Sequence, residues 1–461
     1  MPKSTAHVTA AEISRLAGVT RATVSNWRRR HADFPTPSGG TEASPAYDLE
    51  AVRAWLAARG QLPASSPAED LRTALRALPG NSTAAIRLLP LVRATDRMDP
   101  VDLKTLAELS DTALVQQAQQ AARPHVVDIP GLDGLAYHRD EAGLLRALLH
   151  CVQEEGAVPA LEVLAELDVE ETGASGTYRT PAPLTELMAD LLTEPGKAFP
   201  ASVYDPACGT GGLLTAAARW GARELYGQDI VVTNAAQAVV RLGVQAPTAK
   251  VRVGAGDSLR ADAFPSLAAD AALCAPPYGD RDWGHEELAY DPRWMFGLPP
   301  KGEPELAWVQ HCLAHVAEGA PAVVLMSPAT AERAAGRRIR AELARSGALR
   351  AVVALPAGAA APLHVGLHLW LLQRPNPQAT PAQHILFVDT VTEEASAGTR
   401  SRTKRSNLDW SRIRDTVLNA WHSYVTNPDD FDDVPGTARA VPVIDLLDEA
   451  VDLTPARHTR T

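Results

Sequence analysis

The sequence predicts an α/β fold in which a doubly wound sheet follows a small amino-terminal module and a helical stretch. First, short apolar runs alternate with amphipathic helical patterns from about residue 200 onward. Second, the glycine-rich turn Gly209–Gly212 lies between a strand pattern and a helix pattern. Third, apolar residues recur near every 3.6 positions between Glu69 and Leu167. We therefore predict seven strands with intervening helices, and ligands at the carboxyl ends of the strands.

Length, charge and cysteine content limit the kinds of protein that this chain can be. A chain of 461 residues can bury a large core and form two or three domains. Its net charge of −11 opposes a surface that is basic throughout, so any DNA must contact local basic faces. The four cysteines form no Cys-x-x-Cys pair, and we predict neither a disulfide framework nor a metal site. Without a visible targeting segment or membrane-length apolar run, we expect a cytoplasmic protein.

Residues 1–62 are predicted to form a small DNA-binding domain. Thr9 can cap a short helix, Gly18 ends it, and Thr20 caps a second helix. This pattern resembles the excisionase-type winged helix-turn-helix, whose second helix enters the major groove of double-stranded DNA. The resemblance implies that the DNA-facing residues are Thr20, Arg21, Thr23, Ser25, Asn26, Arg28 and Arg29. The alternative is a small helical adaptor whose arginines are simply solvated.

Residues 63–172 are predicted to form a linker and a helical subdomain. Proline and serine between Leu62 and Pro67 indicate the linker. The helical periodicity that follows is interrupted around Pro124 to Leu135. This stretch carries no specific motif, so its function cannot be inferred from its residues.

The most informative stretch reads Asp-Pro-Ala-Cys-Gly-Thr-Gly-Gly over residues 205–212. A P-loop would need Lys and Ser or Thr after its last glycine, and a dinucleotide fingerprint would need glycine in place of Leu214. The octet instead resembles the S-adenosylmethionine (SAM) loop of N6-adenine DNA methyltransferases, specifically the modification subunits of type I restriction systems. The resemblance implies a Rossmann-like, SAM-dependent methyltransferase domain over residues 173–395. We predict that residues 396–461 form a C-terminal helical extension.

The same resemblance implies which residues bind SAM. Asp229 ends the second strand, where a carboxylate can accept both hydroxyls of an adenosine ribose. Asp257 follows the third strand and matches the family acid near the adenine, whereas Thr180 belongs to a Thr-Pro element that folds over SAM. Arg179 stands where the family more often has an aromatic residue. The predicted cofactor-binding residues are Thr180, Asp205, Ala207, Gly209, Gly211, Gly212, Asp229 and Asp257.

The predicted catalytic residues follow the fourth strand and are Ala275, Pro276, Pro277 and Tyr278. The family carries Asn-Pro-Pro-Tyr or Asn-Pro-Pro-Phe here. There the Asn oxygen and the first proline carbonyl accept the hydrogens of the adenine amine, and the aromatic ring stacks on the flipped base. Ala275 has no acceptor, which implies a weakened reaction. Asp280 and Asp282 are the candidates to replace it.

The function implied by the resemblance is SAM-dependent methylation of the N6 amine of adenine in DNA. The alternative is a SAM-binding, DNA-binding regulator with impaired catalysis. Residues 451–458 resemble the phrase at which fused relatives pass into a DNA-specificity region. We expect either the amino-terminal domain or a separate specificity subunit to direct the protein to DNA, and a restriction subunit is a further candidate partner. Two basic stretches remain. The arginines between Arg333 and Arg345 are interpreted as a solvated helix face, and residues 400–405 as a phosphate contact.

Overall fold

The structure is a computed structural model of the chain. It describes residues 7–41, 45–61, 66–76, 81–172, 179–360, 365–391 and 408–460. The proposed phosphate contact at residues 400–405 and the positions directly before Arg179 lie outside these ranges. Across the described ranges, none of the helices combines the length and apolar character that a membrane crossing requires.

The amino-terminal module has a core of its own. Its elements are β1 (His7–Thr9), α1 (Ala10–Leu16), α2 (Arg21–Arg30), β2 (Pro37–Gly40), β3 (Pro45–Asp48) and α3 (Leu49–Ala57). The strands form an antiparallel sheet in the order β1-β3-β2. The side chain of Thr20 caps α2 by accepting a hydrogen bond from the backbone N–H of Thr23 at 3.2 Å. Ile13, Val24 and Trp55 are buried between the helices and the sheet.

A helical subdomain follows the module. Its helices are α4 (Pro67–Arg76), α5 (Asn81–Thr95), α6 (Pro100–Glu108), α7 (Asp111–Ala122), α8 (Ala142–Glu155) and α9 (Ala157–Thr172). Their apolar faces share one core, which also includes Ala236, Val239 and Val240 from a helix of the next domain. The subdomain therefore packs directly on the domain that carries the sequence motifs.

That domain contains a nine-stranded sheet. The strands are β4 (Ser202–Asp205), β5 (Glu224–Asp229), β6 (Lys250–Ala255), β7 (Ala271–Cys274), β8 (Pro321–Met326), β9 (Leu349–Leu355), β10 (Leu367–Gln373), β11 (His384–Asp389) and β12 (Ala438–Pro442). Their order is β12-β11-β9-β10-β8-β7-β4-β5-β6. β10 is antiparallel to both neighbours, β12 is antiparallel to β11, and the remaining pairs are parallel. The seven predicted strands are all present.

Helices cover both faces of this sheet. They are α10 (Ala182–Asp190), α11 (Gly212–Arg219), α12 (Val232–Gln245), α13 (Glu305–Ala314), α14 (Arg337–Arg345), α15 (Trp410–Thr426), α16 (Val443–Leu446) and α17 (Pro455–His458). One core lies between the sheet and α10, α11, α12 and α15, and a second lies on the opposite face under α13 and α14. Central strands such as β7 are buried along their whole length, which explains their continuous apolar sequence.

Two sequence-based predictions need correction. The C-terminal region contains α15 but is not purely helical, because β12 pairs with β11 at one edge of the sheet. This short strand is only partly buried, so its apolar signal is weak. Arg340 is fully buried rather than solvated, and it donates hydrogen bonds to the carbonyl oxygens of Ala450 and Val451. Helical periodicity could not reveal these partners because they lie more than 100 residues away along the chain.

Candidate active site

Three predicted motifs meet at one edge of the sheet. β4 lies between β7 and β5, and the three strands run parallel. Their carboxyl ends therefore share an edge, as is usual for ligand sites in open α/β sheets. Asp205 is the last residue of β4, Asp229 is the last residue of β5, and Ala275 directly follows β7.

The glycine loop after β4 is hydrogen-bonded to the end of β5. The backbone N–H of Gly209 donates a hydrogen bond of 2.8 Å to Oδ2 of Asp229. Gly211 has a φ of 84°, and a Cβ atom there would lie 3.3 Å from the backbone of Ala238 in α12. Glycine is needed at 211 because the loop adopts a left-handed conformation while packing against a helix.

The two strand-end carboxylates are buried. Asp205 is fully buried; its Oδ1 accepts a hydrogen bond from the N–H of Ala207 at 3.1 Å, whereas its Oδ2 has no partner among the described residues. Oδ1 of Asp229 accepts hydrogen bonds from the N–H of Val231 at 2.9 Å and from Asn234 at 3.2 Å. Burial raises the pKa of both carboxyl groups, because a charged group loses hydration there. Such a pair is typical of a site that binds a ligand.

A first cavity of about 250 Å³ opens beside the loop. Asp229, Asp257 and Thr180 line it together with all four predicted catalytic residues, Ala275, Pro276, Pro277 and Tyr278. Asp257 is fixed by its own turn, since its Oδ1 accepts a hydrogen bond from the N–H of Leu259 at 2.9 Å. Two further aromatic side chains, Trp283 and Trp308, line the cavity and are almost fully buried. The cavity thus combines acidic groups with aromatic walls.

A second cavity, of about 510 Å³, is also lined by residues of the glycine loop. It shares Arg179, Thr180, Ala207, Gly209 and Ala275 with the first cavity, and Asp205 and Gly212 also line it. The two cavities are therefore neighbouring parts of one cleft around the glycine loop.

Charged side chains from two domains meet in the second cavity. Glu162 of α9 forms ion pairs with Arg179 and with Arg241 of α12, the latter at 2.7 Å. The side chain of Arg241 is only 7% exposed, and its Nε and Nη2 have no hydrogen-bond partner among the described residues. The helical subdomain thus contributes a carboxylate to this cavity, next to a guanidinium group with unsatisfied donors.

The structure brings most predicted site residues together. Seven of the eight predicted cofactor-binding residues line one or both cavities; Gly211 lies behind the loop against α12 instead. Sequence reasoning missed Glu162, Arg241, Trp283 and Trp308. None of these four residues belongs to a recognisable motif, and Glu162 lies 79 residues before Arg241, so no sequence signal marked them.

The predicted DNA-facing residues lie apart from these cavities, on and before α2. Arg21, Ser25 and Arg28 are exposed on this helix. Asn26 accepts a hydrogen bond from Arg29 at 2.8 Å, and the hydroxyl groups of Thr20 and Thr23 lie 2.9 Å apart. The exposed face of α2 therefore presents arginines, of which Arg29 is held by Asn26.

A cluster with metal-ligating residue types lies next to Tyr204 of β4. One candidate ligand atom from each of Asp262, His311 and His315 falls within 4.8 Å of the others. Protein atoms already hydrogen-bond both rings: His311 lies 2.7 Å from Arg293 and 2.9 Å from Tyr204, and His315 lies 2.7 Å from Asp262. Burial lowers the pKa of His311 well below its usual value. The histidines therefore belong to a buried hydrogen-bond network.

Arg293 connects this network to the first cavity. Its guanidinium group donates hydrogen bonds to the carbonyl oxygens of Ser258 at 3.2 Å and Leu259 at 2.5 Å. These two residues directly follow Asp257, so Arg293 braces the loop that carries this acid.

Comparison with known proteins identifies the family. The model of the N-6 DNA methylase family matches residues 161–461, which is more than half of the chain. The chain belongs to this family. The matched region contains the glycine loop, the strand-end acids and the Ala-Pro-Pro-Tyr sequence.

Individual relatives agree with this assignment. The chain is similar to the HindI methylase subunit of a type I restriction enzyme from Haemophilus influenzae, with 25% identity over 62% of this chain and 64% of that protein. It is also similar to the MjaIX methylase subunit from Methanocaldococcus jannaschii, with 23% identity over 61% of this chain and 51% of that protein. The match thus spans less than two thirds of the length of either curated relative.

A solved structure shows the same fold. The methyltransferase subunit of a type I restriction-modification system from Streptococcus thermophilus aligns with a TM-score of 0.57 and 17% identity. The alignment covers 97% of this chain and 90% of that one. The fold is therefore that of SAM-dependent methyltransferases, and this fold and the family together imply the use of SAM.

The buried Asp205 generates a prediction about stability and pH. Its pKa in the folded protein is raised above the unfolded value of about 3.9, so its charged form destabilises the folded protein at neutral pH. This penalty begins to decrease as the pH falls through the folded pKa, and it disappears below the unfolded pKa of about 3.9. Asp205→Asn should therefore raise the free energy of unfolding at pH 8 by on the order of 1–3 kcal/mol, and by less at pH 5. Urea unfolding of the SAM-free protein at both pH values measures this difference.

The matched control is Glu318→Gln, which neutralises an exposed carboxylate and should change the free energy of unfolding by less than about 0.5 kcal/mol. An Asp205→Asn protein that is less stable than the wild type at pH 8 would contradict the prediction.

Proposed function

We propose that the protein transfers a methyl group from SAM to the N6 amine of adenine in DNA. The observation that carries the proposal is the position of Ala275, which lines both cavities at the end of β7. One cavity has acids suited to a nucleoside, and it also contains the Pro-Pro-Tyr turn of an amino-methyltransferase. A methyl donor and an acceptor base could thus occupy adjoining parts of one cleft.

The second cavity complements the amino-acid end of SAM. Among the residues that the structure describes, Oδ2 of Asp205 is a buried acceptor without a partner, and Arg241 has buried donors without partners. An ammonium group and a carboxylate would satisfy these atoms, which removes the penalty of leaving them unpaired. Asp229 would accept hydrogen bonds from the ribose hydroxyls. SAM supplies a methyl group on a positively charged sulfur, which is the electrophile of the reaction.

The first cavity suits a purine base. Tyr278 supplies the aromatic surface against which a flipped base can stack, and the nearly buried Trp283 and Trp308 complete the cavity wall. The carbonyl oxygen of Pro276 can accept one hydrogen of the adenine amine. Methylation of cytosine C5 requires a cysteine nucleophile, and Cys274 is a poor candidate because burial raises the pKa of its thiol.

A second function is favoured by one observation. Ala275 provides no acceptor where the family has Asn, and the loss of one such partner typically lowers a rate by about 10²- to 10³-fold. A protein with that defect would bind SAM and DNA but transfer few methyl groups. It would then act as a DNA-binding regulator.

Double-stranded DNA and a separate specificity subunit are the partners that we propose. Both curated relatives are methylase subunits of type I restriction enzymes, which supports assembly with other subunits. The helix pair and the three-stranded sheet of the amino-terminal module support a winged helix-turn-helix, with α2 placed in the major groove. Its exposed arginines would contact phosphates and bases in an otherwise acidic protein.

The cofactor part of the proposal predicts the effect of Asp229→Ala. The loss of charged hydrogen bonds to the ribose should weaken SAM binding by about 1.5–3 kcal/mol. Calorimetry with the purified protein measures the binding. Mass spectrometry of enzymatically digested DNA should then show less N6-methyladenine at a SAM concentration that saturates only the wild type. Asp432→Ala removes the same charge at an exposed site and should change neither quantity. A folded wild type that binds no SAM would contradict the proposed function.

The DNA part predicts a strong salt dependence. Lys and Arg that neutralise phosphates release counterions, so log K should fall linearly with log salt. Replacing both Arg21 and Arg28 by Ala should reduce the magnitude of that slope by about 2, since each lost phosphate contact removes about 0.9. Fluorescence anisotropy of labelled duplex DNA, titrated with the full chain, measures the slope.

The charge-matched control replaces Arg338 and Arg345, two exposed arginines of α14. It should leave the slope nearly unchanged. If both double variants bind DNA with the wild-type slope, the adaptor interpretation of the amino-terminal module is favoured instead.

A further inference from the structure

We propose that Asp280 supplies the hydrogen-bond acceptor that Ala275 lacks, as a catalytic residue contacting the N6 amine of adenine. This inference rests on the proposed function and names one more residue of the same site. Asp280 lines the first cavity together with Ala275, Pro276 and Tyr278. In the proposed function Ala275, Pro276 and Tyr278 contact the base, whereas Asp229 and Asp257 contact the cofactor.

The turn at Gly279, between Tyr278 and Asp280, is held in one conformation. Gly279 has a φ of 70°, in the left-handed region that favours glycine. Its backbone N–H donates a hydrogen bond of 3.1 Å to Oε1 of Glu305, the first residue of α13. Glu305 is only 2% exposed. A buried carboxylate on a helix therefore anchors the turn, so that Asp280 follows Tyr278 along the cavity wall.

The structure distinguishes between the two candidate acceptors. Oδ1 of Asp280 accepts a hydrogen bond from the N–H of Asp282 at 2.9 Å, and its carboxylate forms no salt bridge within the described part of the chain. Asp282 has a side chain that is 96% exposed and paired with Arg260 at 3.1 Å. It does not line the cavity. Both side chains are exposed, but of these two acids only Asp280 lines the cavity, so it is the candidate acceptor.

A carboxylate suits the charge changes of this reaction. Attack by the amine forms a bond between N6 and the methyl carbon and breaks the bond between that carbon and sulfur, whose electron pair remains on sulfur. N6 then carries one excess proton, which the carboxylate of Asp280 accepts and releases to water. A hydrogen bond from the amine to an ionised acceptor strengthens as positive charge develops on N6, so it stabilises the transition state more than the ground state.

Four variants test this assignment: Asp280→Ala, Ala275→Asn, the double variant that combines them, and Asp282→Ala as the control. Single-turnover formation of N6-methyladenine is measured in DNA, with and without a candidate specificity subunit, and SAM binding is measured by calorimetry. Asp280→Ala should be about 10²-fold slower than the wild type. The double variant should recover most of that loss, because Asn at 275 restores an acceptor. Asp282→Ala should stay within about twofold of the wild type, and all four variants should bind SAM as the wild type does.

Other results overturn the inference. Asp280→Ala with wild-type rates would show that its carboxylate is not used, and a loss of SAM affinity in this variant would indicate a structural role. A double variant as slow as Asp280→Ala would show that the missing acceptor is not the defect. An inactive wild type with an active Ala275→Asn variant would overturn the role of Asp280 but would leave the assignment of the methyltransferase site intact. Inactivity of both, despite SAM binding, would contradict the proposed function itself.

Discussion

The burial of two carboxylates at the ends of neighbouring parallel strands is the constraint on which the site depends. Asp205 and Asp229 can be held close together only because β4 and β5 run side by side in the same direction. The N–H of Gly209 in the glycine loop donates a hydrogen bond to Asp229, whereas one oxygen of Asp205 has no partner within the described ranges of the chain. In the proposed function the site is preorganised, because the buried acceptor is in place before the ligand binds. A bound ligand would then remove the cost of leaving this oxygen of Asp205 unpaired.

The helical subdomain contributes a charged side chain to the same cleft. Its core continues into α12, so α9 and α12 are held at a fixed separation. Glu162 of α9 can therefore bridge Arg179 and Arg241 across the second cavity. In our proposal this bridge orients Arg241 toward the cofactor carboxylate. Arg179, at the position where the resemblance leads us to expect an aromatic residue, forms an ion pair with Glu162.

The sequence predicted those features whose signal is local. Six of the seven predicted strands are largely buried and therefore apolar, whereas β6 is only partly buried. The motif acids could be predicted because they end or closely follow predicted strands. The buried strand β11 was not predicted. The edge strand β12 escaped prediction because it is short and half-exposed. Arg340 and Arg241 escaped because their environments are created by chain segments 79 to 111 residues away. The roles of the motif residues in binding SAM and the base stay predictions, as does DNA binding by α2.

Ala275 makes the chemical outcome the central question, since the fold and the cofactor cleft would be the same in an enzyme and in an inactive regulator. Single-molecule sequencing addresses it most directly, with DNA from cells that carry the gene compared with DNA from cells in which it is deleted. Our account predicts N6-methyladenine at a defined sequence in the first DNA and its absence from the second. Identical adenine modification in the two DNA samples, with the protein present and able to bind SAM, would contradict it.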